Sequence, residues 1–238
     1  MKGTEFERYA VQKCGISSNA INGYANLTAA YINPTIIEER ALNVASMDVF
    51  SRLMMDRILV LGTEINNDVA NIITAQLLYL TSQNPTADIT LYLNTPGGSV
   101  SAGLSIMDTI NLISPDVATT VTGMAASMGS ILLCSGAKGK RAALPHARVL
   151  IHQPLGGASG QASDILIAAR QIESCREELC TILSRQSGQS YDKVFADMDR
   201  DYWMTSGEAL EYGMIDNIMG AASRSIISSE TNYGKYSD

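Results

Sequence analysis

Four times between Arg57 and Arg185 a short apolar run gives way to a segment of helical period, and this alternation constrains the fold more than any other feature of the chain. Arg57-Ile-Leu-Val-Leu-Gly reads as a strand ahead of a helix from about Asn67, whose Val69, Ile72, Ile73, Leu77 and Leu80 recur at helical spacing. Ile89 to Leu93 is followed by a helix from Ser99, and Val117 to Thr122 by a helix near Ser127. Ala147 to His152 precedes a long helix from about Gln161 to Arg185, with Ile165, Ala168, Ala169, Ile172, Leu179, Ile182 and Leu183 on one face. The succession predicts an α/β fold. With 238 residues, 46% of them hydrophobic, the chain has enough apolar material for one core, with or without an appendage.

The third strand-to-helix junction carries the most informative stretch, Gly123-Met-Ala-Ala-Ser-Met-Gly. Its small residues bring the Ser127 hydroxyl close to the unpaired N–H groups of a first helical turn, whose partial positive charge suits a tetrahedral oxyanion. A close-packed turn using Gly and Ala only for space has the same composition, and the pattern is not the G-x-S-x-G elbow. A nucleophilic serine needs a base, and the chain has two histidines, His146 and His152. His152 is favoured because Gln153-Pro154 must end the strand there, leaving the imidazole at its rim. The two share strand parity, so alternation does not separate them. The chain has 24 acidic residues, and no local rule selects a third partner.

Composition removes other classes. A net charge of −7 without a basic cluster argues against nucleic acid or an anionic membrane as partner. Cys14, Cys134, Cys175 and Cys180 form no C-x-x-C pair and no zinc-like arrangement with histidines, which fits free thiols in a reducing cytosol. The charged N-terminus lacks the apolar core of a secretory signal, so a cytoplasmic location is expected. The uncharged run from Val117 to Ala137 is long enough to span a bilayer, yet its glycines and hydroxyl residues divide it into a strand and a helix. Gly139-Lys140 does not make a P-loop, since Arg141 stands where Ser or Thr is required and Cys134 where the first Gly belongs.

Gly123-Met-Ala-Ala-Ser-Met-Gly, Gly136-Ala-Lys-Gly-Lys-Arg, Ile151-His-Gln-Pro-Leu-Gly-Gly and Asp199-Arg-Asp-Tyr-Trp-Met-Thr resemble, in order, the signature blocks of the Clp protease proteolytic-subunit (ClpP) family. The likeness runs from about Tyr31 to about Met219. It implies a crotonase-like spiral of repeated strand-turn-helix units, with residues after His152 projecting as a handle helix where two seven-membered rings meet. It also implies a catalytic triad of Ser127, His152 and Asp201, and an oxyanion hole built from the amides of Gly98 and Met128. Tyr92 matches a family position in a hydrophobic docking pocket for a Clp/Hsp100 unfoldase. That partner would hydrolyse the ATP, and no cofactor is expected in this chain. Residues 1–30 are expected to be a self-removed leader cut close to Ala30-Tyr31, residues 31–220 the protease domain, and residues 221–238 an extended polar tail.

Two other functions remain to be weighed. A crotonase-like acyl-CoA hydratase or isomerase would use the same fold and paired amide donors, but it needs acid/base carboxylates near the oxyanion site, and no such pair is evident. A non-catalytic ring subunit would have lost triad members, and all three are present.

Overall fold

In the computed structural model, residues 5–21, 35–40 and 43–220 are described. The expected cleavage point at Ala30-Tyr31 and the tail 221–238 lie outside them. The elements are α1 (Glu5–Gln12), a hairpin of β1 (Thr35–Arg40) and β2 (Asn43–Asp48), α2 (Val49–Met55), β3 (Ile58–Leu61), α3 (Asn67–Gln83), β4 (Ile89–Thr95), α4 (Val100–Leu112), β5 (Val117–Ala126) and α5 (Met128–Cys134). They continue with β6 (Arg141–Ala143), β7 (Arg148–Ile151), α6 (Ala162–Ser187), α7 (Tyr191–Asp197), β8 (Tyr202–Thr205), α8 (Ser206–Tyr212) and β9 (Asn217–Ile218). The fold is α/β, as the alternation predicts.

A seven-stranded sheet carries the site, ordered β3-β4-β5-β6-β9, with β7 beside β5 and β8 beside β7. All its pairings are parallel except β7 with β8. The helices between the strands supply the crossovers that parallel neighbours require. Leu59, Leu61, Leu91, Leu93, Val121 and Val149 are buried against Ile72, Ile73, Leu77, Ile106 and Leu133 in one continuous core.

The decisive feature is β5, which changes partner along its length. Thr119–Val121 pair with β6, whereas Met124–Ala126 pair with β7. The register between β4 and β5 shifts between Leu93 and Thr95, and Asn94 fills the irregularity. Its Oδ1 packs over Gly123 and accepts the Met124 N–H at 3.1 Å. The sequence reading ends this strand at Thr122, because Gly123-Met-Ala-Ala has little β propensity. Pairing with β7 carries it to Ala126, so tertiary context overrides composition.

α6 covers Ala162–Ser187, close to the expected 161–185, but only its C-terminal half reaches the core. Leu179, Cys180 and Leu183 are buried, while Ile165, Leu166 and Ile167 are exposed in the single chain. α1 packs onto α3, with the Tyr9 and Tyr79 rings 5.4 Å apart and Ala10 fully buried. Among the described residues no helix is long and apolar enough to cross a membrane.

Candidate active site

Ser127 occupies the turn between β5 and α5 with φ 54° and ψ −122°, one of two non-glycine residues with positive φ among those described. Such a conformation costs on the order of 1–3 kcal/mol and persists only where the surroundings impose it. Here they do. The Ser127 N–H donates to the Leu150 carbonyl at 3.0 Å, and its own carbonyl accepts from Ser130 N at 2.9 Å and Ser130 Oγ at 2.7 Å. Its Oγ makes no hydrogen bond among the described residues and faces the pocket without a competing partner.

The same β5–β7 pairing brings in the base. β7 ends at Ile151, so His152 lies one residue beyond the strand, beside the turn that holds Ser127. His152 lines the same small pocket as Ser127. His146, the other candidate, is exposed in the turn before β7 and does not reach that pocket.

Asp201 arrives through the antiparallel strand β8. Ile151 faces Tyr202 in that ladder, so one further step sets His152 opposite Asp201. Nδ1 of His152 lies 3.3 Å from Oδ1 of Asp201. That orientation leaves Nε2 on the other side of the ring, with no hydrogen bond to Ser127 Oγ. A hydroxyl, an imidazole and a carboxylate are the three groups that an acyl-transfer triad uses.

The Gly97-Gly98 loop closes the third side. Gly97 has φ 94°, and a Cβ there would lie 2.6 Å from the Ala126 carbonyl and 2.7 Å from Ser127 Cβ. Glycine is therefore required for the loop to abut the nucleophile turn. Gly98 (φ 146°) must also lack a side chain, because a Cβ would run into the Ile65 carbonyl. Ile65 N–H donates to Gly97 O, and Ser99 N–H to Ile65 O, each at 2.8 Å. The Gly98 and Met128 amides donate to no carbonyl among the described residues. Gly97→Ala is expected to cut peptide hydrolysis on the order of 10²-fold by displacing Ser127. Steady-state kinetics on folded variant will check it, and unchanged kcat/KM would mean that the loop does not set the nucleophile.

Behind the pair, Ile131, Ile151, Leu179, Leu183, Met198 and Val100 form apolar walls. The helical stripe marks Leu179 and Leu183 as core, but the sequence has no signal that they line a pocket. No cysteine lines this pocket: Cys134 is fully buried, and burial pushes its thiol up to about 12, while Cys180 is also buried. Tyr92 is half-buried on β4 beside Val60 and Thr120, away from the triad residues along the strand.

With that geometry in view, relatives decide the family. The protein-family profile described as Clp protease matches residues 41–222. The chain belongs to the Clp protease family. It is 61% identical over 215 residues to a Porphyromonas gingivalis protein named ATP-dependent Clp protease proteolytic subunit, covering 90% of this chain and 97% of that one. Proteins of the same name from Bacteroides fragilis (64% over 191 residues, 80% of this chain and 92% of that one) and Bacteroides thetaiotaomicron (57% over 215 residues, 90% and 98%) are similarly close. Within the Clp family this chain is a proteolytic subunit, a peptidase of the serine type.

Proposed function

We propose that the chain hydrolyses unfolded polypeptides to short peptides by an acyl-enzyme route run by Ser127, His152 and Asp201. The observation that supports this reading is the β5–β7–β8 register, with the strained Ser127 turn and His152 on one pocket and Asp201 against the His152 ring. Ser127 Oγ attacks the scissile carbonyl as His152 Nε2 takes its proton, and the imidazolium then protonates the departing amine. Water, activated by the same imidazole, releases the acyl group. Asp201 holds the ring orientation and offsets the positive charge that forms. The amides of Gly98 and Met128 receive the oxyanion. The apolar walls of the pocket favour an uncharged side chain next to the scissile bond. An extended substrate held mainly by its backbone explains loose selectivity elsewhere.

So unselective a peptidase requires confinement. The chain forms two stacked seven-membered rings of a crotonase-like spiral fold, joined through the handle made by α6. The exposed Leu155, Ile165, Leu166 and Ile167 support this, being an apolar surface that a single chain leaves uncovered. An ATP-driven Clp/Hsp100 unfoldase docks near Tyr92 and feeds substrate inward. The chain itself carries no cofactor, acts in the cytoplasm, and loses a leader within residues 1–30 during maturation.

Particle mass combined with degradation assays tests this reading. The purified protein is expected to form an assembly of about fourteen chains that cuts a short fluorogenic peptide alone, and a folded tagged protein only with a Clp ATPase and ATP. A verified assembly that fails to cut peptides with or without the ATPase contradicts it.

A further inference from the structure

Asp201 is held in place by little of its own. Its side chain is 63% exposed, and His152 is the only partner its carboxylate has among the described residues. The position of the carboxylate is therefore set by the backbone that carries it. On one side that backbone is pinned by the β7–β8 ladder, which begins at the Ile151 and Tyr202 pair. On the other side the ladder cannot continue, because Pro154 has no N–H to give.

Gln153 fills that gap. Its N–H donates to the Met198 carbonyl at 2.6 Å, and its side-chain Nε2 donates to the Asp199 carbonyl at 2.7 Å. The carboxamide thus serves as the rung the proline removes. Arg176, stacked 3.8 Å over the Phe195 ring, reaches the Asp199 carboxylate from α6 at 3.4 Å and adds a looser tie to the same segment. His152 and Asp201 are bracketed between the strand pair and the Gln153 clamp.

We propose that Gln153 is a positioning residue for the triad: its carboxamide fixes the Met198 to Asp201 segment so that the Asp201 carboxylate stays against His152. The inference rests on the triad reading given under Proposed function. Gln153 touches no reacting atom, and its effect passes through Asp201.

The test uses the assembled full-length protein with two replacements. Gln153→Glu keeps the shape but turns a donor into an acceptor facing a carbonyl, and Gln153→Met keeps the length without a donor. Each is expected to lower kcat for a short peptide about tenfold or more with KM within about twofold, since a displacement of 1 Å in such a site costs up to about 10²-fold. On an Asp201→Asn background, which alone should slow kcat severely, the same replacements should add less than about twofold. Wild-type kcat in both Gln153 variants overturns the proposal. So does a full multiplicative loss on the Asp201→Asn background, or a loss confined to KM. Unchanged kcat in Asp201→Asn alone would sink the triad reading instead, so the two failures are told apart.

Discussion

Peptide hydrolysis by an assembled sample is expected to fall on the order of 10⁴-fold or more when Ser127 is replaced by alanine, while stability changes by less than about 0.5 kcal/mol. The two halves of that expectation come from different atoms of one residue. Ser127 Oγ forms no hydrogen bond among the described residues, so its loss leaves no partner unsatisfied. The backbone does the structural work through Leu150 O and Ser130, and an alanine keeps those bonds. What disappears is the hydroxyl on the strained turn that lines the pocket together with His152. Kinetics on matched particles, with a melting curve beside them, checks both halves. A variant that is inactive only because it no longer folds would contradict the separation of roles.

Asp216→Asn is expected to destabilise the folded chain by about 3–5 kcal/mol, because it strands a charge where water cannot reach. Arg141 is 1% exposed, and Asp216 is its counter-ion. Nε donates to Asp216 Oδ2 at 2.9 Å and Nη2 to Oδ1 at 2.6 Å, the two-pronged geometry that suits a guanidinium. The Gly139 and Arg141 amides add bonds to Oδ2 at 2.8 and 3.1 Å, and Arg141 Nη1 reaches the Gln186 carbonyl at 2.9 Å. One ion pair thereby ties β6, the approach to β9 and the end of α6. A joint Arg141→Met and Asp216→Leu replacement should cost less than Asp216→Asn alone, since it removes both charges together.

The same pair predicts a pH dependence. Hydrogen bonding from Arg141 holds the Asp216 carboxyl below the usual carboxylate range. Its contribution to stability is complete above the unfolded value of about 3.9 and is lost as pH falls through the lower folded value. The gap between wild type and Asp216→Asn should be widest near neutrality and narrow once the pH drops below about 3.9. Denaturant midpoints measured across that range will show it. A gap that grows on acidification would mean that the carboxylate is not what the guanidinium requires.

How far the sequence foretold this arrangement depended on whether the deciding contacts were local. The helix over Asn67–Gln83 was legible because Val69, Ile72, Ile73, Leu77 and Leu80 are both periodic and buried. The turn at Ser127 was legible because glycines and alanines crowd one strand-to-helix junction. His152 outranked His146 because Gln153-Pro154 ends a strand. The last four residues of β5 were not legible, since their pairing with β7 depends on a strand far along the chain. Asp201 had no local mark among the acidic residues, and only the family resemblance singled it out. Its place beside His152 follows from the β7–β8 register, which joins segments about fifty residues apart. Gly97 was hidden for a similar reason: the atom that forbids a side chain there belongs to Ala126, across the sheet. Gln153 looked like the end of a strand, and its clamp becomes visible only when the Asp199 carbonyl is in place.

The most direct test of the central claim is covalent capture by a serine-directed fluorophosphonate, followed by peptide mapping of the assembled protein. Displacement of fluoride by an activated Ser127 Oγ should leave a single phosphonyl adduct on the peptide containing Ser127. The adduct should vanish in Ser127→Ala and form far more slowly in His152→Ala. Equal labelling of Ser127→Ala, or an adduct mapped to another residue of the intact particle, would contradict the account.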